Sequence, residues 1–179
     1  MSIQPLFYLI GASGSGKDSL INYVRTHLPS NSDLLFAHRY ITRPADAGSE
    51  NHIALSQTEF EQRKNAGLFA MNWDSHQLRY GIGCEIQQWI AAGLRVVISG
   101  SRDYLPQALA DFPQLVPILI TVPDELLRER LSKRGRESDE QIEERLSKAK
   151  WSFSGQLQTV SNDSTIELAG DKLLKLLSR

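Results

Sequence analysis

Residues 6–19 read Leu-Phe-Tyr-Leu-Ile-Gly-Ala-Ser-Gly-Ser-Gly-Lys-Asp-Ser, and no other stretch constrains the chain as tightly. An apolar run enters a glycine-rich turn, Gly11 to Gly16. Lys17 then opens a segment whose Leu20, Ile21, Tyr23 and Val24 recur at helical spacing. This G-x-x-x-x-G-K between a strand and a helix is the pattern of a phosphate-binding loop (P-loop). Glycines let the backbone curl until successive N–H groups face one anion. The helix N-terminus adds partial positive charge, and Lys17 reaches the outer phosphates. Gly11, Ala12, Ser13, Gly14, Ser15, Gly16, Lys17, Asp18 and Ser19 are therefore the candidate nucleoside-triphosphate site.

One letter departs from the pattern. Where such loops carry Ser or Thr to hold Mg²⁺, this chain has Asp18, with Ser19 next. Consecutive helical residues point about 100° apart, so Ser19 does not simply take over. A carboxylate is a good hard-cation ligand, direct or through one water. It equally suits a helix N-terminus with no metal role, and both roles stay open.

With 179 residues, 41% of them apolar and 23% charged, the chain is expected to form one ordinary globular domain. A net charge of −1 gives no electrostatic case for nucleic acid or an anionic membrane. Thirteen Arg against seven Lys favours bidentate phosphate recognition. The single cysteine, Cys84, excludes an internal disulfide and fits the reducing cytoplasm. The apolar start is too short for a signal segment or a membrane span.

Apolar runs at 6–10, 33–37, 94–99 and 115–122, with a weaker one at 157–161, read as strands. Helical patterns lie between them at 17–28, 84–92, 102–111, 124–134, 139–152 and 164–177. Continuous apolar strands alternating with helices predict an α/β fold, a parallel sheet flanked by helices. Two segments break the rhythm. Residues 39–83 hold a helix at 57–66, capped by Ser56 with Glu59 three residues on, among strand-like pieces at 52–55, 68–73 and 78–82. They read as a small α+β insert for substrate binding. Residues 128–145, arginine-rich and broken at Gly135, read as a lid.

Arg130 and Arg134 share a helical face and repel weakly; Arg136 follows the break and Arg145 lies on the next helix. Such a cluster becomes favourable when an anion enters it, and phosphoryl transfer needs cations on the migrating group. A solvated surface with Glu129–Lys133 and Glu144–Lys148 pairs is the plainer account. A second cluster combines Arg39 and Arg43 with Tyr80, Ser101 and Arg102. The last two lie beyond the end of a strand, where open α/β sheets bind ligands. Arg39 and Arg43 are candidates for an acceptor's phosphate, or else plain salt-bridge partners of Asp46 or Glu50. Of Arg79 and Tyr80, alternation sends one to solvent. His38, His52 and His76 lack ligand spacing and read as structural.

The whole chain resembles the guanylate kinase fold: the P-loop, Thr42-Arg43 before an insert, Tyr80-Gly81, and Arg130-Leu131 through Arg134-Gly135 with Arg145 beyond follow that order. Three departures stand out. A second phosphate-binding arginine falls on Asp46, the acid that reads guanine falls near Met71, and the acidic strand end is Ser99-Gly100-Ser101. A site built to hydrogen-bond a base loses discrimination without those groups. A closer resemblance, over roughly residues 6–150, is to the ribose 1,5-bisphosphate phosphokinases. It is carried by the P-loop with Asp18, by 37–43, 47–56 and Tyr80-Gly-Ile-Gly83, and by Ser99-Gly-Ser-Arg102.

That resemblance implies a single P-loop NTPase domain with core about 1–38 and 84–179, insert 39–83 and lid 128–145. It implies ATP-dependent phosphorylation of ribose 1,5-bisphosphate to 5-phosphoribosyl 1-diphosphate with release of ADP, in phosphonate catabolism. ATP and Mg²⁺ are the implied cofactors, with Asp18 at the metal in place of the missing strand-end acid. Lys17, Asp18, Arg130, Arg134 and Arg145 are the implied catalytic set, and Arg39, Arg43, Tyr80, Ser101 and Arg102 the acceptor set. The implied partner is a small phosphorylated sugar, with no nucleic acid and no membrane, and with monomer and homodimer both open. Two alternatives stand beside this reading, a guanylate kinase acting on GMP and a non-catalytic binding module.

Overall fold

The computed structural model describes residues 5–47, 50–135 and 138–178. From the N-terminus the elements are β1 (Leu6–Gly11), α1 (Lys17–His27), β2 (Leu34–Phe36), β3 (Arg39–Ile41) and β4 (Ile53–Ala54). Next come α2 (Gln57–Asn65), β5 (Phe69–Ser75), β6 (Leu78–Gly83), α3 (Glu85–Ala91), β7 (Arg95–Ser99) and α4 (Leu105–Asp111). The rest are β8 (Leu115–Thr121), α5 (Asp124–Arg134), α6 (Asp139–Ala149), β9 (Gln158–Ser161) and α7 (Ile166–Leu177). The chain packs as two compact units, Met1–Tyr8 with Ser30–Leu115, and Leu9–Pro29 with Val116–Arg179.

One sheet has the order β2-β7-β1-β8-β9; β2 runs parallel to β7, and β8 to β9. Its strands are the apolar runs of the sequence. Leu6, Tyr8, Leu9 and Ile10 are fully buried, as are Val96 and Ile98, as expected of strands covered on both faces. The second sheet, β4-β3-β6-β5, lies within residues 39–83. There β6 pairs antiparallel with both β3 and β5.

Local chemistry sets several boundaries. Ser56 and Glu59 form the anticipated capping box of α2, and Ser138 with Gln141 forms another at α6. Gly135, at φ 64°, ends α5 in the left-handed conformation. The pattern at 102–111 yields a helix only from Leu105, because Pro106 has no N–H to donate and suits a first turn. Helix α6 stops at Ala149 rather than 152, and the rings of Trp151 and Phe153 stack 5.8 Å apart just past it. β5 and β6 extend to a two-residue turn at His76 and Gln77, with φ of 50° and 62°. The turn has the positive-φ form that joins twisted strands, without the usual Asn-Gly signal.

Candidate active site

In the unit holding Leu9–Pro29 and Val116–Arg179, the phosphate loop joins β1 to α1. Gly14 and Gly16 have φ of 89° and 82°, which side chains rarely adopt. Space closes the same option. A Cβ on Gly16 would run into Nδ2 of Asn162, and one on Gly14 would press on Leu127 and Leu131 at 3.0 Å. Ala12 packs against the apolar cluster of Leu127, Leu131, Ile142 and Leu146, which joins α5 to α6.

Ser15 is the hub of the loop. Its N–H donates to the Ala12 carbonyl at 3.0 Å. Its own carbonyl accepts from Asn162 Nδ2 at 2.7 Å and from Arg130 Nη1 at 3.3 Å. Arg130 also donates through Nη2 to the Asn162 carbonyl at 2.9 Å, and Arg145 donates to the Ser13 hydroxyl. Arg130 and Arg145, taken from the sequence as lid arginines, thus reach the loop itself. Arg134 is exposed one turn beyond Arg130, Ser19 is exposed, and Arg136 lies outside the described residues. Lys17 Nζ donates to Asp18 Oδ1 at 3.1 Å, and the lysine side chain is only 12% exposed, so it is covered rather than solvent-facing.

The acceptor candidates lie in the other unit, Met1–Tyr8 with Ser30–Leu115. Arg39 donates through Nε and Nη2 to the two carboxylate oxygens of Glu50, each at 2.5 Å. Arg43 Nη2 reaches Glu50 Oε2 at 3.2 Å and His52 Nδ1 at 3.2 Å. His52 Nε2 lies 3.1 Å from the Arg43 carbonyl and Nδ1 lies 3.1 Å from the Glu50 carbonyl, so the ring bridges the backbone at both residues. The guanidinium of Arg39 lies over the Tyr80 ring, 5.0 Å from its centroid. Tyr80 is buried while Arg79, on the opposite strand face, pairs with Glu61. Of the plain salt-bridge partners, Glu50 is the one used, and Asp46 is exposed.

Ser101 and Arg102 follow the end of β7. The fully buried Tyr8 fixes the Ser101 backbone: its hydroxyl donates to the Ser101 carbonyl at 3.1 Å and accepts from the Ser101 N–H at 2.9 Å. Its ring fills the space a side chain on Gly100 would need. Burial pushes the Tyr8 phenol far above the ordinary tyrosine range, against the Ser101 N–H and the Arg39 charge, which lower it. Desolvation lowers the half-buried Arg102 guanidinium, opposed by Asp103.

Sequence reasoning left Tyr8, Glu50, His52 and Asn162 out of the site. A tyrosine inside a wholly apolar strand is a usable signal, because its hydroxyl needs a partner. The other three carry no local pattern.

A protein from Thiobacillus denitrificans named ribose 1,5-bisphosphate phosphokinase PhnN is 51% identical, over 99% of this chain and 95% of its own. One of the same name from Psychromonas ingrahamii is 52% identical over 96% of this chain and 89% of its own. The chain belongs to the ribose 1,5-bisphosphate phosphokinase family. No family model matches it. Among solved structures, a guanylate kinase from Anaplasma phagocytophilum superposes with a TM-score of 0.74, over 99% of this chain and 86% of its own, at 17% identity. A gluconokinase from Sinorhizobium meliloti gives 0.53 at 16% identity, over 100% of this chain and 94% of its own. These likenesses carry the fold, a guanylate-kinase-like P-loop α/β architecture, as the motif order implied.

The residues fit a polyphosphate with its Mg²⁺. Left-handed glycines, a lysine at a helix start and two arginines form a donor-rich loop. Within it the Ser15 hydroxyl is buried and has no hydrogen-bond partner, a state that costs about 1–3 kcal/mol. No group of three or more His, Cys, Asp or Glu among the described residues could hold a metal. Mg²⁺ needs no such cage, since one carboxylate, phosphate oxygens and water suffice, and Asp18 in the first turn of α1 is a carboxylate that could hold it. No helix among the described residues is long and apolar enough to cross a membrane.

Proposed function

We propose that this chain transfers the γ-phosphoryl group of ATP to the 1-phosphate of ribose 1,5-bisphosphate, forming 5-phosphoribosyl 1-diphosphate and ADP. The observation that carries this reading is identity near 50%, over almost the whole chain, to proteins named for that acceptor. An oxygen of the acceptor 1-phosphate bonds to the γ-phosphorus, and the bond from that phosphorus to the β,γ-bridging oxygen breaks. ADP leaves with the electron pair.

The residues divide the work. Lys17 and the loop 11–19 hold the triphosphate, with Arg130, Arg134 and Arg145 offsetting charge on the migrating group. Asp18 would hold Mg²⁺, which would supply positive charge to offset that of the triphosphate. Arg39, Arg43, Tyr80, Ser101 and Arg102 bind the sugar bisphosphate, which offers two phosphates and no base. In this reading the chain is one domain, with 39–83 as the acceptor insert and 128–145 as the lid. It works in the cytoplasm, in phosphonate catabolism.

ADP release with Mg²⁺ and ATP, compared across ribose 1,5-bisphosphate, GMP, AMP and no acceptor, tests the proposal. The sugar bisphosphate should dominate, and Lys17→Ala should lower kcat by at least about a hundredfold. A preference for GMP would replace the reading with a guanylate kinase. No acceptor-dependent ADP at all would favour a binding module.

A further inference from the structure

Arg39 is fixed from two directions. The Glu50 carboxylate grips the edge of its guanidinium through two hydrogen bonds of 2.5 Å. The Tyr80 ring supports its face, and behind Tyr80 the rings continue. Trp73 stacks on Tyr80 at 5.7 Å with 2° between planes, and Tyr104 stacks on Trp73 at 5.4 Å. The row acts as a backstop for Arg39.

Arg39 and Glu50 side chains are each 12% exposed and Arg43 is 24% exposed, and both guanidiniums reach the Glu50 carboxylate. Arg43 Nε is buried without a hydrogen-bond partner. A guanidinium with a donor left over suits an incoming anion, whose oxygens accept charge-assisted hydrogen bonds.

We infer that Glu50 is a positioning residue for acceptor recognition, holding Arg39 and Arg43 so that the pair presents one fixed set of guanidinium donors to a phosphate of the sugar. This rests on the acceptor reading above. Glu50 does not touch the reacting phosphorus. Its carboxylate sets the plane of Arg39 and the reach of Arg43, while His52 ties Arg43 from the other side.

Steady-state kinetics of Glu50→Gln and Glu50→Asp with ribose 1,5-bisphosphate and ATP test the inference. Glu50→Gln should raise acceptor KM at least tenfold and leave ATP KM within twofold. Glu50→Asp keeps the charge but shortens the reach, so acceptor KM should still rise severalfold. Combined with Arg39→Lys, Glu50→Gln should add little beyond Arg39→Lys alone, because it acts through that side chain. Unchanged acceptor KM in both variants, or effects that multiply in the double variant, would overturn it. So would failure of both variants to fold, since the carboxylate would then serve the fold. If the native chain prefers another phosphorylated acceptor, the acceptor reading fails, and the same KM comparison with that acceptor decides the role of Glu50.

Discussion

The side-chain amide of Asn162 donates to the Ser15 carbonyl at 2.7 Å, across 147 residues of sequence. Asn162 is 4% exposed, and its own carbonyl accepts from Arg130. One buried residue after β9 thus holds both the centre of the phosphate loop and Arg130. Asn162→Ala strips that carbonyl of its shorter partner and should cost about 1–3 kcal/mol. Melting should fall by roughly 2–4 °C per kcal/mol for a chain of this size. ATP KM should rise severalfold with acceptor KM unchanged. Equal rises in both would show a general loss of structure instead.

Asp18 sits at the first turn of α1, hydrogen-bonded by Lys17. As a metal ligand it should give Asp18→Asn a clearly higher Mg²⁺ requirement, read as a rightward shift in the Mg²⁺ dependence of turnover. As a helix-terminus charge alone it would cost only about 0.3–1 kcal/mol of stability. An unchanged Mg²⁺ curve with a slightly lower melting temperature decides for the second role.

Arg43 meets Glu50 and His52 through one nitrogen, Nη2. Lysine keeps the charge but not the planar fork. Charge-assisted contacts are worth about 1.5–3 kcal/mol, so Arg43→Lys should weaken acceptor use roughly ten- to a hundredfold and leave ATP binding nearly untouched. Acceptor KM and kcat both equal to the native values would remove Arg43 from the acceptor site.

Tyr8 links stability to alkaline pH. Burial holds its phenol far above the ordinary tyrosine value of about 10, so the folded chain keeps a proton that the unfolded chain releases. The stabilisation is complete below that ordinary value and is lost progressively as pH rises above it. Tyr8→Phe should make the alkaline fall in melting temperature shallower. At neutral pH it should be less stable by about 1–3 kcal/mol, because the Ser101 N–H and carbonyl lose their partner. Melting between pH 8 and 11 checks both, and an unchanged alkaline slope would contradict the linkage. Tyr40 and Tyr104 are also raised by burial, so some slope remains.

The phosphate loop, the apolar strands and the capping box of α2 are written locally, and the sequence alone determined them. Each depends on residues within a few positions of one another, where backbone geometry and side-chain period leave a readable signature. The hairpin turn at His76 and Gln77 is also local, yet it lacks the residues such turns usually show, and strand pairing imposes its positive φ values. Tertiary structure alone decided which side chains complete the site. Ser15 finds Asn162 and Tyr8 finds Ser101 across 93 residues, and of the two acids the sequence offered to Arg39 and Arg43 the fold brings up Glu50. A buried donor or charge must be satisfied by whatever the fold brings within about 3 Å. That requirement leaves no period or spacing in the chain, so the partners become visible only once the strands are paired.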